Sequence, residues 1–129
     1  MTNRNTKPSP KIGLSRIKHA FLYSCDGLKF AIKNVTAFQQ EVFLYIISAI
    51  VLYFLPLPIM HKGILFFANT MVLIAELFNS AIEAVVDMAS PDYHVLAKRA
   101  KDLGSAAVLI ALLLSACLWA AAIWMILNG

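Results

Sequence analysis

The sequence predicts an all-α membrane protein with three transmembrane helices preceded by an amphipathic interfacial helix. Three observations lead there. Hydrophobic residues make up 60% of only 129 positions, more than a small water-soluble domain, which is mostly surface, would carry. The apolar residues fall into three runs long enough to cross about 30 Å of hydrocarbon. Of the eleven Lys and Arg residues, seven (Arg4, Lys7, Lys11, Arg16, Lys18, Lys29 and Lys33) precede the first of those runs.

Taken in order, residues 1–10 contain Pro8 and Pro10 and read as a disordered basic tail. Residues 11–33 interleave Ile12, Leu14, Ile17, Phe21, Leu28, Phe30 and Ile32 with Lys and Arg. That mixture suits a helix lying on an anionic leaflet, with Gly27 as its weak point. The first 20 residues lack an apolar core followed by a small-residue cleavage site, so the first span is expected to remain in the mature chain. From Val42 to Met60 no Asp, Glu, Lys or Arg occurs in 19 positions. Pro56 and Pro58 should end that span near Leu55, with His61-Lys62-Gly63 as a polar turn. A second span runs over 63–88 and a charge-free third over about 103–127, with the whole of 11–129 forming one domain. Ser90-Pro91-Asp92 has helix-start chemistry and is expected to begin the third helix in the headgroup region. Lys98, Arg99 and Lys101 load the second connection, whereas the first carries only Lys62. The positive-inside rule then places the N-terminus in the cytoplasm and the C-terminus in the periplasm.

The chemistry is concentrated in the second span. In Glu76-Leu-Phe-Asn79-Ser80-Ala-Ile-Glu83-Ala-Val-Val-Asp87, Glu76, Glu83 and Asp87 fall within roughly 40° of one another on a helix, flanked by Asn79 and Ser80. An ionised group at the centre of a membrane helix costs at least about 2.5 kcal/mol, so acids held there point to use. Carboxylates in that setting suit cation ligation or proton abstraction. Asp87 sits near the boundary, where ordinary solvation is an equal reading, and Asn79 and Ser80 also suit helix–helix packing. A second polar set, His94, Lys98, Lys101, Asp102 and Ser105, recurs at helical spacing and runs into Gly104-Ser105-Ala106-Ala107. Small residues permit close helix approach, which would set Lys101 against the acidic stripe. The glutamates lack the Glu-x-x-His spacing of di-iron bundles, since Asn79 stands at the His position. Phosphate-loop, dinucleotide and nucleophile-elbow motifs are missing too. Nothing in the sequence reads nucleic acid. Cys25 and Cys117 lack metal spacing and are expected to be free thiols.

The two segments Glu76–Asp87 and Arg99-Ala-Lys-Asp-Leu-Gly-Ser-Ala-Ala-Val-Leu-Ile110 closely resemble the signatures of the small bacterial diacylglycerol kinases. The likeness extends over roughly residues 12–127. It implies a homotrimer in the inner membrane that phosphorylates diacylglycerol from MgATP to give phosphatidic acid. By that resemblance Glu76 is the base on the lipid hydroxyl, Glu83 the Mg²⁺ ligand at the phosphates, and Asn79 supports the site. Lys101 and Asp102 would bind nucleotide with the Asp92-Tyr93-His94 turn, Arg16 and Tyr23 would reach phosphates and lipid head, and Ser105 and Trp119 would border the acyl chains. The family pattern carries a further glutamate three residues before a Phe ahead of the first span. Here Phe38 is preceded by Val35 at that position, which implies a metal held by Glu83 and the phosphates, more weakly than usual. Competing readings are the related undecaprenol kinases, an ion-coupled transporter built on the buried acids, and a catalytically impaired lipid-binding homologue.

Overall fold

A computed structural model describes residues 12–129, so the tail expected over 1–10 lies outside the described residues. Four helices follow in order: α1 (Leu14–Asn34), α2 (Thr36–Phe54), α3 (Ile59–Ala89) and α4 (Val95–Asn128). No strand occurs among the described residues, and α2, α3 and α4 are each long and apolar enough to cross a membrane.

The boundaries follow local chemistry. α1 runs through Gly27 without a break. It hands over to α2 at Val35, whose extended backbone (φ −105°, ψ 102°) makes the hinge. The Gln39 side-chain amide donates to the Ile32 carbonyl at 2.9 Å, tying the hinge shut, and Ala31 and Phe38 are buried beside it. α2 stops at Phe54 because Pro56 fixes the preceding Leu55 in an extended conformation (φ −68°, ψ 140°).

The first connection is therefore Leu55–Pro58, and His61-Lys62-Gly63 lies inside the opening turns of α3 instead of forming the expected turn. Two prolines spaced by one residue already reverse the chain, and Pro58 at the helix entrance leaves the following residues free to wind. Lys62 Nζ donates to the Tyr53 carbonyl at 3.1 Å, meeting the negative end of α2.

The start of α4 also differs from expectation. Ser90 Oγ donates to the Asp92 carbonyl at 2.9 Å instead of capping a helix, and its own backbone (φ −139°, ψ 79°) is non-helical ahead of Pro91. His94 is the cap: its Nδ1 accepts the Leu96 N–H at 3.1 Å, and α4 begins one residue after it.

α3 packs chiefly on α4 and, less extensively, on α2, while α1 touches only α2 in any number. Leu52, Leu57, Leu65 and Ala122 form an apolar cluster at the end near the proline turn, covered by Leu118, Trp119 and Met125. The remaining large apolar side chains, such as Phe43, Ile50, Phe67 and Ile110, are turned outward, as lipid-facing helices require.

At the other end α3 and α4 approach most closely where Gly104 meets Asn79. A Cβ on Gly104 would collide with the Asn79 amide oxygen, whereas one on Gly63 would meet no atom within 4 Å. Gly104→Val is accordingly expected to lower stability by about 1–3 kcal/mol through overpacking. Gly63→Ala is expected to be neutral or mildly stabilising. Denaturant unfolding in mixed micelles checks the pair, and equal effects at both glycines would refute the close approach.

Candidate active site

The close approach builds a cavity of about 700 Å³ at the α1–α2 hinge, lined by Glu76, Asn79, Ser80, Glu83, Asp87 and Ser105 together with Asn34, Val35 and Thr36. The helical stripe read from the sequence is thus one wall of a real recess. Its apolar end holds Glu76, only 5% exposed, and Asn79, 8% exposed. Ser80 Oγ lies 3.5 Å from a Glu76 carboxylate oxygen, and the Asn79 amide nitrogen donates to Glu83 at 3.2 Å. Each contact spans one helical turn, so the helix itself orients the acids.

The site changes character along α3. Glu76 is enclosed, Glu83 is exposed, and Asp87, about 16 Å from Glu76 along the axis, is exposed and paired with Lys101 at 2.5 Å. A neighbouring pair, Lys98–Asp102, closes at 2.5 Å on α4. Both lysines precede the charge-free stretch of α4, Lys98 exposed and Lys101 half-buried. The hydrogen bond to Asp102 holds Lys98 above its ordinary ammonium range, and the hydrogen bond to Asp87 does the same for Lys101. The expected placement of Lys101 against the acidic stripe is met, through Asp87.

The other sequence-predicted residues are more scattered. Arg16 and Tyr23 are exposed on α1, two turns apart, and do not line the cavity of the single chain. Asp92 and Tyr93 are exposed in the connection before α4, and His94 caps that helix. Trp119 borders a separate cavity between α2 and α4. Cys25 and Cys117 are free, as expected, and both are exposed.

Two features escaped sequence reading. Glu41, on α2, lines a cavity between α2 and α4, and one of its carboxylate oxygens is buried without a hydrogen-bond partner. Asn69 gathers partners from two other helices. A signal for it existed, because Asn69 stands seven residues before Glu76 and extends the same helical stripe.

Fold and site together define a small multi-pass α-helical membrane protein with an acid-lined recess where its apolar and charged segments meet. Comparison with known proteins gives the family. Residues 22–123 match the model of the prokaryotic diacylglycerol kinase family. A diacylglycerol kinase of Escherichia coli K12 is 40% identical over 112 residues, covering 87% of this chain and 92% of that protein. One from Helicobacter pylori J99 is 36% identical over 119 residues, 92% of each chain. One from Pseudomonas aeruginosa is 40% identical over 116 residues, 88% of this chain and 94% of the relative. The chain belongs to the prokaryotic diacylglycerol kinase family.

The side chains of the Asp87–Lys101 pair are exposed, and exposed ion pairs contribute little to folding. Asp87→Asn is therefore expected to leave the thermal unfolding midpoint in detergent essentially unchanged at any ionic strength. A fall of several degrees that high salt abolishes would show the pair to be structural.

Proposed function

We propose that this protein phosphorylates diacylglycerol at the cytoplasmic face of the inner membrane, taking the γ-phosphoryl group of ATP and giving phosphatidic acid. The observation that carries the proposal is the enclosure of Glu76 in the same recess as the exposed Glu83. One wall thus offers a carboxylate to a substrate arriving through lipid and another to one arriving through water. The membership of the family supports the same reaction.

In this reading the lipid lies with its free hydroxyl against Glu76. The ionised carboxylate takes the hydroxyl proton as the oxygen bonds to the γ-phosphorus. The bond from that phosphorus to the bridging oxygen breaks, and ADP leaves. Such a transfer calls for alignment and charge stabilisation more than for covalent help from the protein. Ser80 steadies Glu76, and the Asn79 amide holds Glu83 in place. Lys101 and Asp102 take the nucleotide, with Asp92, Tyr93 and His94 beside it. Lys101 exchanges its Asp87 partner for phosphate oxygens. Ser105 and Trp119 border the acyl chains. Arg16 and Tyr23 join from α1, which lies on the cytoplasmic leaflet with its basic residues among anionic head groups. We further propose a homotrimer with sites shared between neighbouring subunits, which brings those exposed α1 side chains to a recess they do not line in one chain.

Among the described residues no group of three or more His, Cys, Asp or Glu side chains is arranged to hold a metal ion. Mg²⁺ that arrives with nucleotide phosphates needs only one or two protein carboxylates. Glu83, exposed on the cavity wall, fits that smaller demand. The ion, when bound, neutralises charge on the transferring phosphoryl group.

Two results would test this. With γ-labelled MgATP and protein in lipid micelles, label is expected in diacylglycerol, and Glu76→Gln is expected to lose at least about 100-fold of the rate. Label entering undecaprenol but not diacylglycerol would change the acceptor, and wild-type inactivity in a folded oligomer would refute the kinase. Val35 lines the same cavity as Glu83, so Val35→Glu adds a carboxylate to it and is expected to lower the Mg²⁺ concentration at half-maximal rate. An unchanged requirement would show that the position does not reach the metal.

A further inference from the structure

A second cavity, of about 370 Å³, opens between α2 and α4. Its walls are mainly apolar, from Leu44, Val51, Val72 and Leu112, with Glu41 toward one end and Asn69 and Trp119 toward the other. Glu41, Val72 and Leu112 of its lining each stand one helical turn from Ala37, Glu76 and Val108 of the first cavity, so the cleft begins beside that recess. It then descends into the apolar layer. Asn69 is seven residues from Glu76 on α3, roughly 10 Å deeper.

Asn69 joins three helices at that depth. Its amide nitrogen donates to Ser48 Oγ on α2 at 2.9 Å. Its amide oxygen accepts from Ser115 Oγ at 2.7 Å and from the Trp119 indole at 3.1 Å, both on α4. An indole N–H only donates, so the orientation of the amide is fixed. One turn away, Tyr45 and Thr70 hydroxyls meet at 3.0 Å across α2 and α3. In hydrocarbon these groups have no water to turn to, so parting the helices leaves them unpaired. Ser48, Ser115 and Trp119 line the cleft together with Asn69, and their hydrogen bonds therefore set the separation of its two walls.

We propose that Asn69 is a specificity-determining positioning residue: by tying Ser48 of α2 and Ser115 and Trp119 of α4 to α3, it fixes the width of the cleft and so selects the acyl chain that lies there. The occupant is an acyl chain of the diacylglycerol whose hydroxyl reaches Glu76, which rests on the kinase reading above. A lipid chain can enter the cleft directly from the bilayer. A rigid wall rejects a chain that is too wide or kinked, because closely packed apolar sites respond to single methylene changes. A wall that gives way does not. Asn69 touches none of the reacting atoms; it acts through Trp119 and Ser48.

The test separates binding from turnover. Trp119 is made the sole indole by Trp124→Phe, and diacylglycerols brominated along straight or cis-unsaturated chains are added to the protein in micelles. Bromine quenches an indole only on contact, so quenching reports occupancy of the cleft whether or not transfer occurs. The expected result is that quenching of Trp119 differs at least about threefold between chain types, matching the ratio of their KM values. In Asn69→Leu the difference should fall below about twofold while kcat holds. Thresholds of this size correspond to a few tenths of a kcal/mol between chains. Ser115→Ala, which removes one donor and leaves the amide, should move the ratio part of the way and serves if Asn69→Leu does not fold. Equal quenching by all chains in the wild type, or discrimination that survives both variants, overturns the proposal. Selective quenching without any phosphorylation would overturn the kinase reading and leave the role of Asn69 in chain selection standing.

Discussion

The rest of the structure depends on the contact between Asn79 and Gly104. Without a side chain on Gly104, α4 comes up against the polar stripe of α3, and the Asn79 amide oxygen, buried and without a hydrogen-bond partner, is pressed against it. Membrane helices gain little from excluding each other's apolar surface, since lipid is as apolar as they are, so close fit has to do that work. On either side of this contact Glu76 is enclosed and Lys101 meets Asp87. The same amide presents its nitrogen to Glu83. A single side chain thus joins the packing of the bundle to the orientation of an acid in the recess.

The protein manages polarity in the apolar layer in two ways. Around Asn69 every partner is internal, and hydrogen bonds close on one another. Along Glu76, Glu83 and Asp87 the groups are left open to a cavity. The contrast separates holding from reacting: a fully paired network is rigid and chemically quiet, and acids facing open space are available to substrates.

The extent to which this was legible in the sequence follows from where the information lies. The three spans could be read because charge-free runs and the two prolines act locally, and the acidic stripe because helical spacing alone puts Glu76, Glu83 and Asp87 together. The lysine meeting Asp87 was foreseeable from the small residues that follow it. The start of α4 was not, because Ser90, Asp92 and His94 compete for the same local hydrogen bonds and only the geometry after Pro91 selects His94. The Asn69 network was missed for a different reason. Its partners lie 21, 46 and 50 residues away, and one asparagine in an apolar run does not announce them.

The Leu55–Pro58 connection has a consequence for how the chain enters a bilayer. It is short, carries no charge, and the one ammonium beside it, on Lys62, already rests on the Tyr53 carbonyl. Little polar backbone and no charge therefore stand between α2 and α3, which lowers the cost of moving the two together through hydrocarbon. The polar face of α3 is then covered only when α4 packs against it.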